Sequence, residues 1–154
     1  MFGHVRILSY LCGMIRNILF GGPTLYTKTD SVGVSELRQI VKLGTKWCVQ
    51  NMGVNNRRKT EFTVSIRTQR SGSPCYGVFD YHNNTIVIFK NHCPNLRMIV
   101  RTLIHEYTHY LQPIRGSYHK LLEDHGYDNH PMEIEARNME MFYNDCWKFI
   151  KKNI

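Results

Sequence analysis

Residues 94–111 read PNLRMIVRTLIHEYTHYL, and this stretch decides how the chain folds. Its apolar residues recur at the three- and four-residue spacing of one helix face, namely at Leu96, Ile99, Val100, Leu103, Ile104, Tyr107 and Leu111. Pro94 suits the first turn of a helix, because a backbone N–H would have no partner there. The stretch therefore predicts an amphipathic helix that buries one stripe in a hydrophobic core.

Residues 105–109 of this helix form the pattern His-Glu-x-x-His. Side chains four positions apart share a helix face with Cβ atoms about 6 Å apart, so His105 and His109 can bind one Zn²⁺ at about 2.0–2.1 Å. Glu106 points about 100° away from His105, where it can act as general base on a water activated by the metal. Both histidines face away from the apolar stripe. We therefore predict a metal site in a cleft, with His105 and His109 as ligands and Glu106 as the catalytic base.

A catalytic zinc site also needs a third protein ligand and an open coordination position. Gln112 and Arg115 stand where a metzincin would have glycine and histidine, which excludes that class. A second helix is predicted from Pro131 to about residue 151, and it carries Glu133 and Glu135. These two side chains point about 200° apart, so one metal ion cannot bind both, and periodicity alone leaves the choice open.

The region before the HExxH helix has the pattern of a small sheet. Residues 62–67 alternate apolar and polar side chains, which is typical of a half-buried strand. Residues 76–81 and 85–89 are two β-prone runs joined by His-Asn-Asn, and asparagine tolerates the left-handed conformation of a tight hairpin. A helix over residues 35–52 precedes them. These patterns predict an α+β domain with a three-stranded, at least partly antiparallel sheet.

The HExxH motif, with residues 133–136 (EIEA) opening a helix 24 residues after its second histidine, resembles the gluzincin metallopeptidases. Over residues 62–147 the chain is most similar to the minimal ImmA/IrrE-like group. The resemblance implies a zincin-like domain in which a sheet packs on the HExxH helix and a C-terminal helix bears the third ligand. It implies Glu133 as that ligand, because Ala136 matches the family's small residue three positions on. Arg137 departs from the family's frequent asparagine, which hydrogen bonds a metal-binding histidine.

A second resemblance uses a different third ligand. In the SprT-like group, proteases that degrade proteins crosslinked to DNA, a histidine followed by glycine lies beyond the HExxH helix, and His125-Gly126 is compatible with that pattern. Against it, the chain has no zinc-ribbon cysteines, and residues 131–136 stay unexplained. If His125 is not a ligand, all three histidines downstream of the HExxH helix are interpreted as loop residues, namely His119, His125 and His130. One of them, or Tyr127, could stabilise an oxyanion.

The composition is that of one globular domain. The 154 residues are 42% hydrophobic, and no window reaches the roughly 18 uncharged apolar residues of a membrane-spanning helix. We divide the chain into a segment at residues 1–30 and a metallopeptidase-like domain at residues 31–154. Residues 1–20 place an apolar stripe opposite Arg6 and Arg16, which is typical of an organelle-targeting or surface-lying helix, or of a first helix packed on the domain. Five cysteines without close pairs indicate reduced thiols and an intracellular protein, with the cytoplasm as the default compartment.

The expected function is zinc-dependent hydrolysis of peptide bonds in a protein or peptide substrate, with Glu106 as the base. An extended substrate could add to the edge of the strand over residues 85–89. The alternative is a basic nucleic-acid-associated protein, either a SprT-like protease acting on DNA-bound proteins or a non-catalytic binding module. Its support is a net charge of +8, from 20 basic and 12 acidic residues. Its candidate phosphate contacts are Arg57, Arg58, Lys59, Arg67, Arg70, Lys148, Lys151 and Lys152.

Overall fold

The architecture is α+β, as predicted, with a three-stranded mixed sheet. The computed structural model describes residues 22–58, 61–68, 75–113 and 116–154. Within these ranges the elements follow in the order 3₁₀ turn Thr29–Ser31, α1 (Val34–Met52), β1 (Thr63–Arg67), β2 (Gly77–Asp80), β3 (Thr85–Phe89), α2 (Leu96–Leu111), α3 (Gly116–His125), α4 (Pro131–Met139), 3₁₀ turn Glu140–Phe142 and α5 (Tyr143–Asn153).

β3 is the central strand of the sheet, whose order is β1-β3-β2. It runs parallel to β1, with Thr63 opposite Thr85, and antiparallel to β2, with Asp80 opposite Thr85. The turn that joins β2 and β3 places Asn84 at a φ of 50°, a left-handed conformation that asparagine accepts. The predicted hairpin is confirmed, and the sheet is mixed because β1 joins it in parallel.

Both sides of β3 are paired, so the expectation that a substrate adds to the edge of residues 85–89 is wrong. Within the described sheet the outer edges belong to β1 and β2. The N–H of Phe89 donates to the carbonyl of Tyr76, so the alternating antiparallel ladder turns the backbone groups of Gly77 and Phe79 outward. An extended segment that pairs with this sheet has to use β1 or β2.

The other elements pack around α2. The Asn95 side chain caps its N-terminus by accepting from the N–H of Met98 at 3.1 Å, so Pro94 precedes the cap instead of lying in the first turn. The sheet contacts one side of α2, and α1, α4 and α5 contact the others. Fully burying a large aliphatic side chain contributes about 1.5–3 kcal/mol to folding. The predicted stripe is confirmed as core except at Leu111, which is half-buried, since at most 1% is exposed at Leu96, Ile99, Val100, Leu103, Ile104 and Tyr107.

The C-terminal half differs from the sequence prediction in two places. The single helix expected from Pro131 to about residue 151 is interrupted, because α4 ends at Met139 and a tighter 3₁₀ turn precedes α5. Residues 116–125, expected as a loop, form α3. Its polar side chains are mostly exposed at the surface, so no clear apolar stripe marks this helix in the sequence.

The stretch that precedes α1 is attached to the start of α2. The carbonyl of Leu25 accepts from the N–H of Arg97 at 2.8 Å, and the carbonyl of Thr27 accepts from the N–H of Leu96 at 3.1 Å. Residues 1–20, with the predicted targeting-like helix, lie outside the described residues. The division of the chain at residue 30 stays a prediction.

Predictions from composition are tested in part. No helix among the described residues is long and apolar enough to cross a membrane. The four cysteines in the described ranges form no disulfide with one another, and the reduced state stays a prediction. Burial raises the pKa of Cys93 to about 11 and that of Cys146 to about 12, so both thiols stay protonated near neutral pH.

Gly77 is where β2 approaches α2 most closely. A Cβ at this position would lie 2.6 Å from Cγ2 of Thr102, 3.0 Å from the carbonyl oxygen of Val87 and 3.1 Å from Cγ of Glu106. We expect Gly77→Ala to lower the free energy of unfolding by about 1–3 kcal/mol, because the strand must move off the helix. Urea denaturation followed by circular dichroism measures this loss.

Gly33→Ala is the matched control, because a Cβ there meets no atom within 4 Å. It changes only the N-cap preference of α1 and should cost less than about 1 kcal/mol. Equal losses in the two variants would contradict the close approach of β2 to α2.

Candidate metal centre

Two helices bring three ligand atoms to one point. α2 presents His105 and His109, and α4 presents Glu133, which is 4% exposed. The Nε2 atoms of the two histidines lie 3.1 Å apart. Each lies 3.4 Å from a carboxylate oxygen of Glu133, His105 from Oε2 and His109 from Oε1. Among the described residues, these three form the group that could hold a metal ion.

The spacing of these atoms fits a single small cation. Tetrahedral coordination with bonds of about 2.0–2.1 Å separates neighbouring ligand atoms by about 3.3 Å. The two Nε2 atoms are 3.1 Å apart, and each lies 3.4 Å from a different oxygen of Glu133, so the separations to the nearer oxygens are close to that value. The predicted residues His105, His109 and Glu133 are therefore brought together with the geometry of a metal site.

The protonation of the two imidazoles supports the same conclusion. Nδ1 of His105 lies 2.8 Å from Oε1 of Glu140, and Nδ1 of His109 lies 2.8 Å from Oε1 of Gln112. Both partners are acceptors, so each Nδ1 carries a proton, and each Nε2 faces Glu133 and offers a lone pair to a metal ion once its own proton is lost. Two Nε2 atoms and a carboxylate that converge within 3.4 Å can share protons or hold one metal ion.

Gln112 fixes the orientation of His109 and explains the place of Glu135. The Gln112 amide donates to the carbonyl of Met132 at 2.9 Å and to Oε2 of Glu135 at 2.8 Å, which leaves its oxygen to accept from His109. Glu135 is exposed and lies outside the ligand group. Helix periodicity could not choose between Glu133 and Glu135 as the third member of the group. The geometry favours Glu133, which faces both histidines, whereas Glu135 accepts a hydrogen bond from Gln112, which in turn accepts one from His109.

Glu140 fixes the orientation of His105, and the sequence analysis missed this residue. It lies in the 3₁₀ turn that follows α4, and its second oxygen forms an ion pair with Arg101 at 2.6 Å. Arg101 precedes His105 by one helical turn on α2, but a solvent-accessible arginine needs no acidic partner, so the sequence carried no signal for Glu140. Arg137, at the family's asparagine position, instead donates to the carbonyl of Asp128.

The charges around the site favour a cation. Burial lowers the pKa of His105, but hydrogen bonds to Glu133 and Glu140 and the charge of Glu106 outweigh it and raise the pKa to about 9. Burial raises the pKa of Glu133, but hydrogen bonds from His105, His109 and Tyr118 outweigh it, so that the pKa lies well below its ordinary value. Glu133 is therefore an anion at neutral pH, in a position that binds positive charge.

Glu106 lies beside the ligands without joining them. Its carboxylate is 7% exposed beneath β2, where the outward backbone N–H of Phe79 interacts with it. Burial raises the pKa of Glu106, while the charges of His109 and His105 and the Phe79 N–H act in the opposite direction. The absence of a side chain at Gly77 leaves room for it. A buried carboxylate next to a metal group, yet outside it, is the arrangement that a general base needs.

Two tyrosines contact the third ligand. The Tyr118 hydroxyl on α3 donates to Oε1 of Glu133 at 2.9 Å. Burial and the nearby Glu133 raise the pKa of Tyr127, whose side chain is 58% exposed. Both hydroxyls therefore stay protonated at neutral pH and hydrogen bond Glu133.

The three downstream histidines do not join the ligand group. His119 and His125 are exposed on α3. His130 is fully buried, accepts from the N–H of Met132 at 3.1 Å and contacts the carbonyl of Tyr118 at 3.0 Å through Nε2. These bonds make His130 the N-cap of α4 and leave it no nitrogen for a metal.

No protein-family profile, curated protein sequence or solved structure gives a significant match to this chain. The likeness to the ImmA/IrrE-like group rests on residues 105–109 and 133–136 and stays a prediction.

The ligand assignment predicts three different metal affinities. Glu133→Ala should weaken Zn²⁺ binding by more than the roughly 10–100-fold typical of losing a residue that only hydrogen bonds a ligand. Glu135→Ala should fall within that range or below it, and His125→Ala should bind Zn²⁺ like the unchanged chain. Titration against a competing chromophoric chelator measures all three. Loss of binding in His125→Ala with retention in Glu133→Ala would contradict the assignment.

The contact between Glu140 and His105 predicts a separate effect. Glu140→Ala should weaken Zn²⁺ binding by about 10–100-fold, because His105 loses the acceptor that fixes its ring. Glu140→Gln keeps an acceptor oxygen and should recover part of the affinity. Glu123→Ala, on the exposed surface of α3, is the control. Equal affinities in all three variants would show that Glu140 does not position His105.

Proposed function

We propose that the chain is a zinc-dependent metallopeptidase that hydrolyses peptide bonds in a protein substrate. The observation that carries the proposal is the convergence of the two Nε2 atoms on Glu133, with the buried Glu106 beside them. This combination provides a metal site and a base in one place, and metal-assisted hydrolysis needs both.

The donor set favours zinc. Two imidazole nitrogens and one carboxylate oxygen are typical ligands of catalytic zinc, which keeps a fourth position open for water. Bound Zn²⁺ would lower the pKa of that water and polarise the scissile carbonyl. His105, His109 and Glu133 would hold the ion, and Glu140 and Gln112 would keep the two imidazoles in the binding orientation.

Glu106 supplies the proton transfers. It would accept a proton from the attacking water and deliver it to the leaving amine. The Phe79 N–H orients its carboxylate, and burial strengthens its basicity by raising its pKa. The hydroxyls of Tyr118 and Tyr127, which hydrogen bond Glu133, are candidate donors to a developing oxyanion.

The outer edge of β2 supports an extended peptide as the substrate. Gly77 turns its backbone N–H and carbonyl, and Phe79 its carbonyl, away from β3 toward the outer edge of β2. The same strand covers Glu106. A peptide paired with this edge would gain main-chain hydrogen bonds and pass close to the base. This position replaces the strand over residues 85–89 that the sequence suggested.

The nucleic-acid alternatives have weaker support. Their basis is the net charge of +8. Of their candidate contacts, Arg58 stacks over the ring of Phe79 and donates to the carbonyl of Tyr110, and Lys148 pairs with Asp145. Lys59 and Arg70 lie outside the described residues. An intracellular location stays a prediction as well.

Glu106→Gln tests the function directly. The variant should bind Zn²⁺ with unchanged stoichiometry but hydrolyse peptide bonds about 10²–10⁴-fold more slowly, because it loses the base and keeps the ligands. Mass spectrometry of a proteome-derived peptide library measures cleavage, and Glu123→Gln is the control. Cleavage by Glu106→Gln at the rate of the unchanged protein would refute the proposed role.

A further inference from the structure

A groove of about 500 Å³ lies between α1 and β1, at the edge of the sheet away from β2. Its apolar wall consists of Val41, Phe62, Val64 and Ile66. Its volume is within the range of roughly 300–1,000 Å³ that is typical of ligand sites. The metal centre lies outside this groove, since none of its ligands contributes to the lining.

The backbone of β1 offers hydrogen bonds at this groove. In the parallel pairing with β3, the N–H of Thr63 donates to the carbonyl of Asn84, and the carbonyl of Arg67 accepts from the N–H of Lys90. Residues 63, 65 and 67 therefore point their backbone groups toward β3. Val64 and Ile66 point theirs away from β3, toward the outer edge of the sheet. A strand laid along the groove could pair with both residues.

The charges at the groove select its ligand. Arg38 and Lys42 contribute to the lining from α1, and no acidic side chain does so among the described residues. The buried hydroxyl of Ser65, also a lining residue, has no hydrogen-bond partner in the described part of the chain. The net charge of +8 opposes the approach of a second copy of this protein and attracts an acidic ligand.

We propose that this groove binds an extended acidic segment of a partner protein, which adds to β1 as a fourth strand. The outward groups of Val64 and Ile66 pair with the main chain of the segment. Alternate apolar side chains of the segment contact Val41 and Phe62, and its carboxylates reach Arg38 and Lys42. The requirement for main-chain pairing favours a peptide over a fatty acid or another anionic amphiphile. The interaction does not depend on the proposed peptidase activity.

The probe is a fluorescein-labelled peptide with the sequence VEVDVEVD, which alternates apolar and acidic residues. Fluorescence anisotropy follows its binding to the full chain carrying Glu106→Gln, so that the probe cannot be cleaved. Two comparison peptides separate the contribution of charge from that of backbone hydrogen bonding. VKVKVKVK reverses the charge, and a version of VEVDVEVD that is N-methylated at alternate residues lacks half of the backbone N–H groups. We expect saturable binding of the first peptide and binding at least about tenfold weaker for the other two.

The charge contribution is tested on the protein side. Arg38→Glu combined with Lys42→Glu should weaken probe binding by about tenfold or more. Lys46→Glu combined with Arg57→Glu changes the net charge equally at exposed positions outside the lining, and should weaken binding far less. Equal losses in the two double variants would mean that the probe senses only the overall charge, which would overturn the proposal.

The edge contribution is tested at Ile66. Ile66→Pro removes an outward N–H without breaking a bond to β3, so the strand can form, and Zn²⁺ binding reports the intact fold. Ile66→Ala removes the same apolar contact but keeps the N–H. Binding should be at least about threefold weaker in the proline variant than in the alanine variant. Equal binding in both variants would overturn strand addition.

Two further measurements separate the competing explanations. A variant carrying His105→Ala and His109→Ala should still bind the probe, so a failure of the metal proposal would leave this one standing. Sedimentation equilibrium of the unchanged chain should show a monomer. A dimer that Ile66→Pro dissociates would place a second copy in the groove and overturn the proposal, as would the absence of saturable probe binding.

Discussion

The metal centre depends on the two hydrogen bonds that orient its histidines. Glu140 and Gln112 accept from the Nδ1 atoms, and this turns both Nε2 atoms toward Glu133 at separations of 3.1–3.4 Å. These groups can stay so close only when protons or a metal ion lie between them. A cation that binds only the folded chain also stabilises the contact between α2 and α4. Binding of a metal ion would therefore couple the local geometry of the site to the stability of the fold.

The sheet has two chemically different edges because β3 is paired on both sides. The β2 edge lies over α2, where Gly77 lets the strand approach Glu106, so this edge serves the proposed cleavage site. The β1 edge faces α1, whose Arg38 and Lys42 line the groove beside it. Exposed strand edges pair readily with other chains unless they are protected. In this protein, basic residues line one exposed edge and a buried carboxylate lies beneath the other.

The sequence by itself determined the elements whose signals are local. The three- and four-residue spacing of α2 predicted both its buried stripe and the opposite face with His105 and His109, because the helical period of 3.6 residues assigns each position to a face. Alternation and the asparagine turn predicted β2 and β3 in the same way. The α+β class, the hairpin and two of the three ligands followed from residues at most a few positions apart. Glu133 needed a resemblance, since helix periodicity did not separate it from Glu135.

Only the tertiary structure decided the features that join distant parts of the chain. The order β1-β3-β2 depends on a parallel pairing that no short-range pattern specifies. The 3₁₀ turn at Glu140–Phe142 was missed because the apolar periodicity continues through it, yet this turn brings Glu140 to His105 across 35 positions. Gln112 likewise bonds His109 and reaches Glu135 across 23 positions. Contacts of this kind are fixed by how helices pack against one another, and the spacing of residues within one helix carries no information about them.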